Sequence, residues 1–447
     1  MNRNFLLTTP CAERLYEEYA KNMPIIDYHN HLPHLDIVSD RHFGDIAELW
    51  ILSDPYKHRL MRICGVDEEY ITGRKTSYEK FVKWCEIFPR LVGTPVFHWS
   101  LAELSEVFGI EEFPSAQTAP SIWEKANTLL ECKEYSAMKI LKKFNVEYCA
   151  PCTEITDDVS FFEKLEVFAP SLRGDSAVSP SPNFINKLGN IKNLTEYKGI
   201  LKERIAAFTA AGCRFSDHAL DNGFTYEPDD HKNSARFDAL LSGAVLPPQD
   251  KVFLASEILR YLASLYNKAG WTMQLHIGAE RVTSPRLREI AGPAGGYATV
   301  GETVNLSALI GLFSDLEKTD SLPKTLLFTL NPTDNVLIAT LSGSFANSHD
   351  EALISQGPAW WWCDHLHGTR EMLENFAAHS VLSTFVGMTT DSRNVLSFIR
   401  HDYFRRTLCG WVGEKVKNGE FPSDTDMLGN LIKQLCYNNA KKRLTEV

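Results

Sequence analysis

Short apolar runs recur along the chain, and between them lie longer stretches whose apolar positions repeat with helical spacing. A run bounded by turn residues and followed by an amphipathic segment is the signature of a repeated βα unit. The pattern predicts strands at MPIIDYH (23–29), VEYCAP (146–151), CRFSDHA (213–219), WTMQLHIG (271–278), KTLLFTLN (324–331) and SVLSTFVGM (380–388). Several are apolar on both faces, as parallel strands covered by helices must be. LTEYKGILKERIAAFTAAG (194–212) and KVFLASEILRYLASLYNKAG (251–270) read as helices that end on a glycine suited to a C-cap, each followed directly by a strand. Residues 100–143 read as mostly helical, with no convincing strand.

Repeated βα units make a (β/α)8 TIM-type barrel the expected fold, with a doubly wound open sheet as the alternative. The expectation is one barrel domain over 1–447, with a mostly helical insertion over about 36–143 after the first βα unit.

The ends of the predicted strands carry the chemistry. In PIIDYHNHLPH, His29 and His31 are two apart and project to one face of a strand, with Asp27 a step behind and His34 turned away past Pro33. Two imidazoles so placed can share a divalent ion, although a pair of hydrogen-bonded histidines fits the motif as well. MQLHIGAER adds His276, Glu280 and Arg281, FVGMTTDSR adds Asp391 and Arg393, and FSDHAL adds Asp217 and His218. A carboxylate from a late strand completes a His/His/Asp site with open positions. GPAWWWCD offers Trp360, Trp361 and Trp362 for stacking on a sugar face or for filling the core. Arg173 in SLRGDS, read as a loop, suits a carboxylate or a surface ion pair.

Composition narrows the partners. A net charge of −11 argues against nucleic acid, while leaving room for anionic small molecules held by a few arginines. No apolar stretch approaches the ~20 residues of a membrane helix. The N-terminal residues turn acidic too soon for a signal peptide, so a cytoplasmic enzyme is expected. Ten cysteines form no framework; Cys149 and Cys152 in YCAPC read as reduced thiols beside a strand rather than a zinc or redox motif.

Taken together, DYHNHL, DPYKHRLMRICGV, HWSLAEL with FGI, IWEKAN, AGCRFSDHALD, MQLHIGAER, TLNPTDN, GPAWWWCD and GMTTDSRNVLSFIRHDYFRR resemble, in order and over nearly the whole chain, the uronate isomerase (glucuronate isomerase) family of the amidohydrolase superfamily. The resemblance implies an aldose–ketose isomerase of hexuronates, D-glucuronate to D-fructuronate and D-galacturonate to D-tagaturonate. It implies His29, His31 and Asp391 as ligands of one divalent metal ion, with zinc the expected identity. Asp391, Tyr56 and Arg393 are the implied catalytic groups. Arg173, Asp217, His276, Arg281 and Trp360 are implied around the substrate. Tyr56 enters by resemblance alone, because PYKHR reads as a plain loop.

The chain departs from the family where Pro55-Tyr56 replaces His-Tyr, where CTEITDD (152–158) replaces Thr-Thr-Asp-Asp-Pro, and where GPAGGYATVGE (292–302) lacks aspartates. Two rivals stand beside the isomerase. A metal-dependent hydrolase would often carry a bridging lysine or carboxylate near the end of VEYCAP, and none is evident. A sugar-acid-binding relative without turnover would not need the full set of metal ligands, Tyr56 and Arg393. The partner implied is a small hexuronate, with a homo-oligomer left open and neither nucleic acid nor membrane.

Overall fold

A computed structural model describes residues 4–445. The first strand, β1 (Ile25–Asn30), is buried throughout. It is followed by β2 (Val146–Glu154), β3 (Ser171–Arg173), β4 (Phe215–Leu220), β5 (Thr272–Ile277), a small hairpin of β6 (Ala279–Glu280) and β7 (Thr299–Val300), then β8 (Thr325–Thr329) and β9 (Ile354–Gln356). Seven of them form one parallel sheet in the order β1-β2-β3-β4-β5-β8-β9, while β6 and β7 pair antiparallel. The sheet curls with helices outside it, as expected of a TIM-type barrel.

The apolar runs account for β1, β2, β4, β5 and β8. β3 and β9, three residues each, are too short to show a period. Arg173, read from the sequence as a loop residue, is the last residue of β3. The helices Leu194–Ala210 and Pro248–Lys268 form as the periodicity predicts, and Gly212 and Gly270 after them take φ of 86° and 70°.

The predicted strand at 380–388 does not form. Leu382–Thr384 is a single 3₁₀ turn, and the segment beyond it runs beside β1 without a regular ladder. The reason is local. Gly387 has φ of 86°, and a Cβ there would lie 2.2 Å from the Leu435 carbonyl oxygen; Asp391 has φ of 50°. Hydroxyls replace part of the missing ladder. Thr389 and Thr390 donate to the buried Asp27 carboxylate, the latter at 2.5 Å, and the Thr390 N–H donates to it at 2.9 Å. Two backbone bonds complete the closure: Asp391 N–H to His29 O at 3.0 Å and His31 N–H to Ser392 O at 2.7 Å.

Between β1 and β2 the described chain is helical, including Pro55–Ile63, Ser77–Ile87, Ala119–Leu130 and Ala137–Lys143. Its centre is aromatic. Trp50 meets Trp84 edge-on at 6.1 Å, and Trp84 meets Phe88 at 5.9 Å. This cluster is continuous with Ile25 and Leu275 of the sheet. PYKHR, read as a loop, is the start of the Pro55–Ile63 helix: Asp54 caps it and Pro55 occupies its first turn. Buried Lys57 pins that turn by pairing with Asp54 at 2.6 Å and Glu103 at 3.5 Å. No helix among the described residues is long and apolar enough to cross a membrane.

Candidate active site

A cavity of about 740 Å³ opens at the C-terminal ends of the strands, and His29, His31, Tyr56, Arg173, Asp217, His276, Arg281, Trp360, Asp391 and Arg393 all line it. Most come from or just beyond strand ends that the parallel sheet aligns, while Tyr56 comes from the Pro55–Ile63 helix. Of the other polar residues at strand ends, His218 also borders the cavity but holds Tyr266 Oη at 3.0 Å. Glu280 accepts from Asn222 instead, and His34 stacks on Phe161.

His29 and His31 converge on one oxygen. Their Nε2 atoms lie 3.3 and 3.1 Å from Asp391 Oδ1. The two-residue spacing read from the sequence does bring them together, although the register of β1 with β2 shifts between Asp27 and Asn30. Asp27, expected on the same face as the histidines, binds the closing segment instead.

Trp360 donates its indole N–H to Asp391 Oδ2 at 3.0 Å, so it anchors the carboxylate as well as walling the cavity. Burial pushes the Asp391 carboxyl up, yet hydrogen bonds to His29 and His31 outweigh it and hold the group well below the usual carboxylate range. Burial lowers His31 to about 4, against the pull of Asp391, so its ring is neutral near pH 7.

A second pair lies across the cavity. His276 Nδ1 is 2.6 Å from Asp217 Oδ1, while His276 Nε2 is buried with no hydrogen-bond partner among the described residues. Its ring stacks on Phe328 at 4.5 Å and lies 4.4 Å from His29. Arg173 Nε lies 3.3 Å from Asp175 and 3.7 Å from Glu154, and Arg281 Nε is 2.7 Å from Asp221.

The donor set fits a divalent ion. Two imidazole nitrogens and a carboxylate converge, and His29–His31–Cys152 and His29–Asp217–His276 are further groupings with donor atoms within 4.8 Å of one another.

Sequence reasoning missed two neighbours, Cys152 and Arg400. Cys152 Sγ is 3.4 Å from His29 Nδ1 and 3.6 Å from Asp217 Oδ2. Arg400 lies buried over the Tyr56 ring, 5.2 Å from its centroid, and is ion-paired with Asp364. Nothing in FIRHDYFRR singles out Arg400 from the charged residues that follow it. The Tyr56 hydroxyl is buried with no partner among the described residues, and burial pushes its phenol up. The loop that lacks the expected aspartates also lines the cavity, through Pro293, Ala294, Gly296 and Ala298. A Cβ on Gly296 would meet the Pro55 carbonyl at 2.4 Å.

The same organisation extends to known proteins. A sequence model of the glucuronate isomerase family matches residues 1–444. The uronate isomerase of Caldicellulosiruptor saccharolyticus is 40% identical over 458 residues, covering 99% of this chain and 98% of that protein. The crystal structure of uronate isomerase from Thermotoga maritima superposes with a TM-score of 0.92 at 30% identity, covering 99% of both chains. That of glucuronate isomerase from Caulobacter crescentus shares the fold, with a TM-score of 0.90 at 24% identity over 99% of this chain and 96% of that one. With its strand-end residues gathered at one mouth and its similarity running end to end, the chain belongs to the glucuronate isomerase family.

Proposed function

We propose that the protein interconverts aldose and ketose forms of hexuronates, D-glucuronate with D-fructuronate and D-galacturonate with D-tagaturonate, with the chemistry centred on Asp391. One observation carries the residue assignment. Asp391 stands where both histidines, Trp360 and the cavity meet.

The reaction moves a proton from C2 of the open-chain aldehyde to C1 and needs charge stabilised on the enediol oxygens between. The Asp391 carboxylate is ionised and aimed into the cavity, so it takes the C2 proton and returns it at C1. Tyr56 stays protonated because burial disfavours the phenolate, and its unpartnered hydroxyl is free to serve the substrate oxygens as acid and then base. Arg393 places a fixed positive charge where oxyanion character develops. Arg173 and Arg281 hold the uronate carboxylate and hydroxyls, Asp217 and His276 bind hydroxyls, and Trp360 packs on the sugar carbons. One divalent ion, zinc by its imidazole and carboxylate donors, would be held by His29, His31 and Asp391 and would act as a Lewis acid toward a sugar oxygen.

The test is to incubate the protein with D-glucuronate or D-galacturonate in D₂O and follow products by NMR, alongside metal analysis of the purified protein. Ketose formation is the expected result. Binding without ketose would overturn the reading in favour of a sugar-acid-binding protein.

A further inference from the structure

Cys152 lies between His29 and Asp217, on opposite sides of the cavity, and the proposed chemistry does not use it. It begins the pairing of β2 with β3, opposite Ser171, which sets its side chain beside β1 and β4. Its sulfur lies 3.4 Å from His29 Nδ1 and 3.6 Å from Asp217 Oδ2, distances suited to sulfur hydrogen bonds.

With His29 neutral and its Nε2 left for an ion, the donors and acceptors in this chain fit together in one way. An ionised carboxylate can only accept, so Asp217 receives the S–H on Oδ2 and the His276 Nδ1–H on Oδ1. With its proton committed to Asp217, the sulfur is left as an acceptor, and His29 donates its Nδ1–H to it. The Nε2 of His29 is then a bare lone pair. It faces Asp391 Oδ1, another acceptor, at 3.3 Å. Without an ion a proton on Nε2 serves that contact, as the hydrogen bond that keeps Asp391 ionised; an ion would take the proton's place between the two atoms.

We infer that Cys152 is a positioning residue of the metal centre, fixing His29 in the tautomer that offers Nε2 to a divalent ion and joining that ligand to the Asp217–His276 pair. The inference rests on the assignment of His29, His31 and Asp391 as the ion's ligands. A partner on the far nitrogen of a ligating histidine orients the ring and raises its basicity, which is the usual task of a carboxylate or carbonyl. Here a thiol performs it. The two ring nitrogens of an imidazole point away from each other, so a sulfur at Nδ1 is remote from an ion at Nε2. Direct ligation remains the rival to test, since Cys152 also lies within 4.8 Å of donor atoms on His29 and His31.

The experiment measures zinc affinity of the full chain by competition with a chromophoric chelator, for the parent, Cys152→Ala and Cys152→Ser, with thermal unfolding of each metal-free protein as a control. Cys152→Ala is expected to weaken zinc binding about 10–100-fold. Cys152→Ser, which keeps a donor and an acceptor at shorter reach, is expected to fall between Ala and the parent. The cobalt-loaded parent is expected to show no thiolate-to-metal absorption in the near ultraviolet. Parent-like zinc affinity in the variants would overturn the inference. So would a thiolate band that disappears in Cys152→Ala, because the sulfur would then be a ligand. A parent that binds no zinc would remove the metal assignment itself, and this inference with it. Should Cys152→Ala fail to fold, Cys152→Ser carries the same comparison.

Discussion

The two sides of the barrel are held together by different bonds. Through β3, β4, β5 and β8 the strands are joined by regular parallel ladders, with β4 and β5 in register over six residue pairs from Phe215↔Thr272 to Leu220↔Ile277. On the closing side the partner of β1 is a segment with glycine and aspartate in left-handed conformations, stitched by threonine hydroxyls to Asp27. The ladder side carries Arg173, Asp217 and His276. The stitched side carries Asp391 and Arg393. Regular ladders hold Arg173, Asp217 and His276, assigned to gripping a sugar acid, and irregular backbone holds Asp391 and Arg393, assigned to moving its proton. The difference teaches that a residue needing an unusual direction is set where a ladder would have forbidden it.

That division can be broken by substitution. The largest effect is expected on the stitched side: Asp391→Asn should lower kcat by about 10²–10⁴-fold, as for loss of a general base. Arg393→Met should follow, at about 10²–10³-fold in kcat from loss of oxyanion stabilisation. Steady-state kinetics on D-glucuronate check both, and near-normal turnover in either variant would erase the contrast. Leu275→Ala on the ladder side should do the opposite. Its side chain is buried in the main core, so the variant should lose about 2–5 kcal/mol of stability in denaturant unfolding while the folded enzyme keeps its kcat.

A smaller effect sharpens the comparison through pH. Burial and the nearby Asp217 raise Asp175 to about 6, against the pull of Arg173. As pH falls through 6, Asp175 gains a proton, its repulsion of an anionic substrate ends, and Arg173 is shared only with the more distant Glu154. KM for glucuronate should therefore fall as pH is lowered through this range, and Asp175→Asn should abolish that dependence. A parent-like KM profile in Asp175→Asn would show that the ladder side does not bind the carboxylate.

Much of the site was legible because polar residues at the ends of apolar runs are informative where many runs are parallel. His29, His276 and Asp391 could be read that way. Tyr56 could not, since it lies on a helix whose capping signal, Asp54-Pro55, says nothing about which way the phenol points. Cys152 was legible only as a thiol beside a strand, because its importance depends on His29 and Asp217, which are distant in sequence. The closing segment misled for a physical reason. SVLSTFVGM has the composition of a strand, but the close approach of Leu435 to Gly387 is a tertiary contact with no local trace.

The hydroxyl stitching at Asp27 has a consequence for how the enzyme fails on heating. Protein structures open locally before they unfold globally, at places with few backbone ladder bonds. The seam between β1 and the closing segment is such a place, and Asp391 and Arg393 hang from it. Catalysis would then be lost reversibly at temperatures where the helices and the remaining ladders still stand, so the heat limit of the enzyme would be that of its seam rather than of its fold.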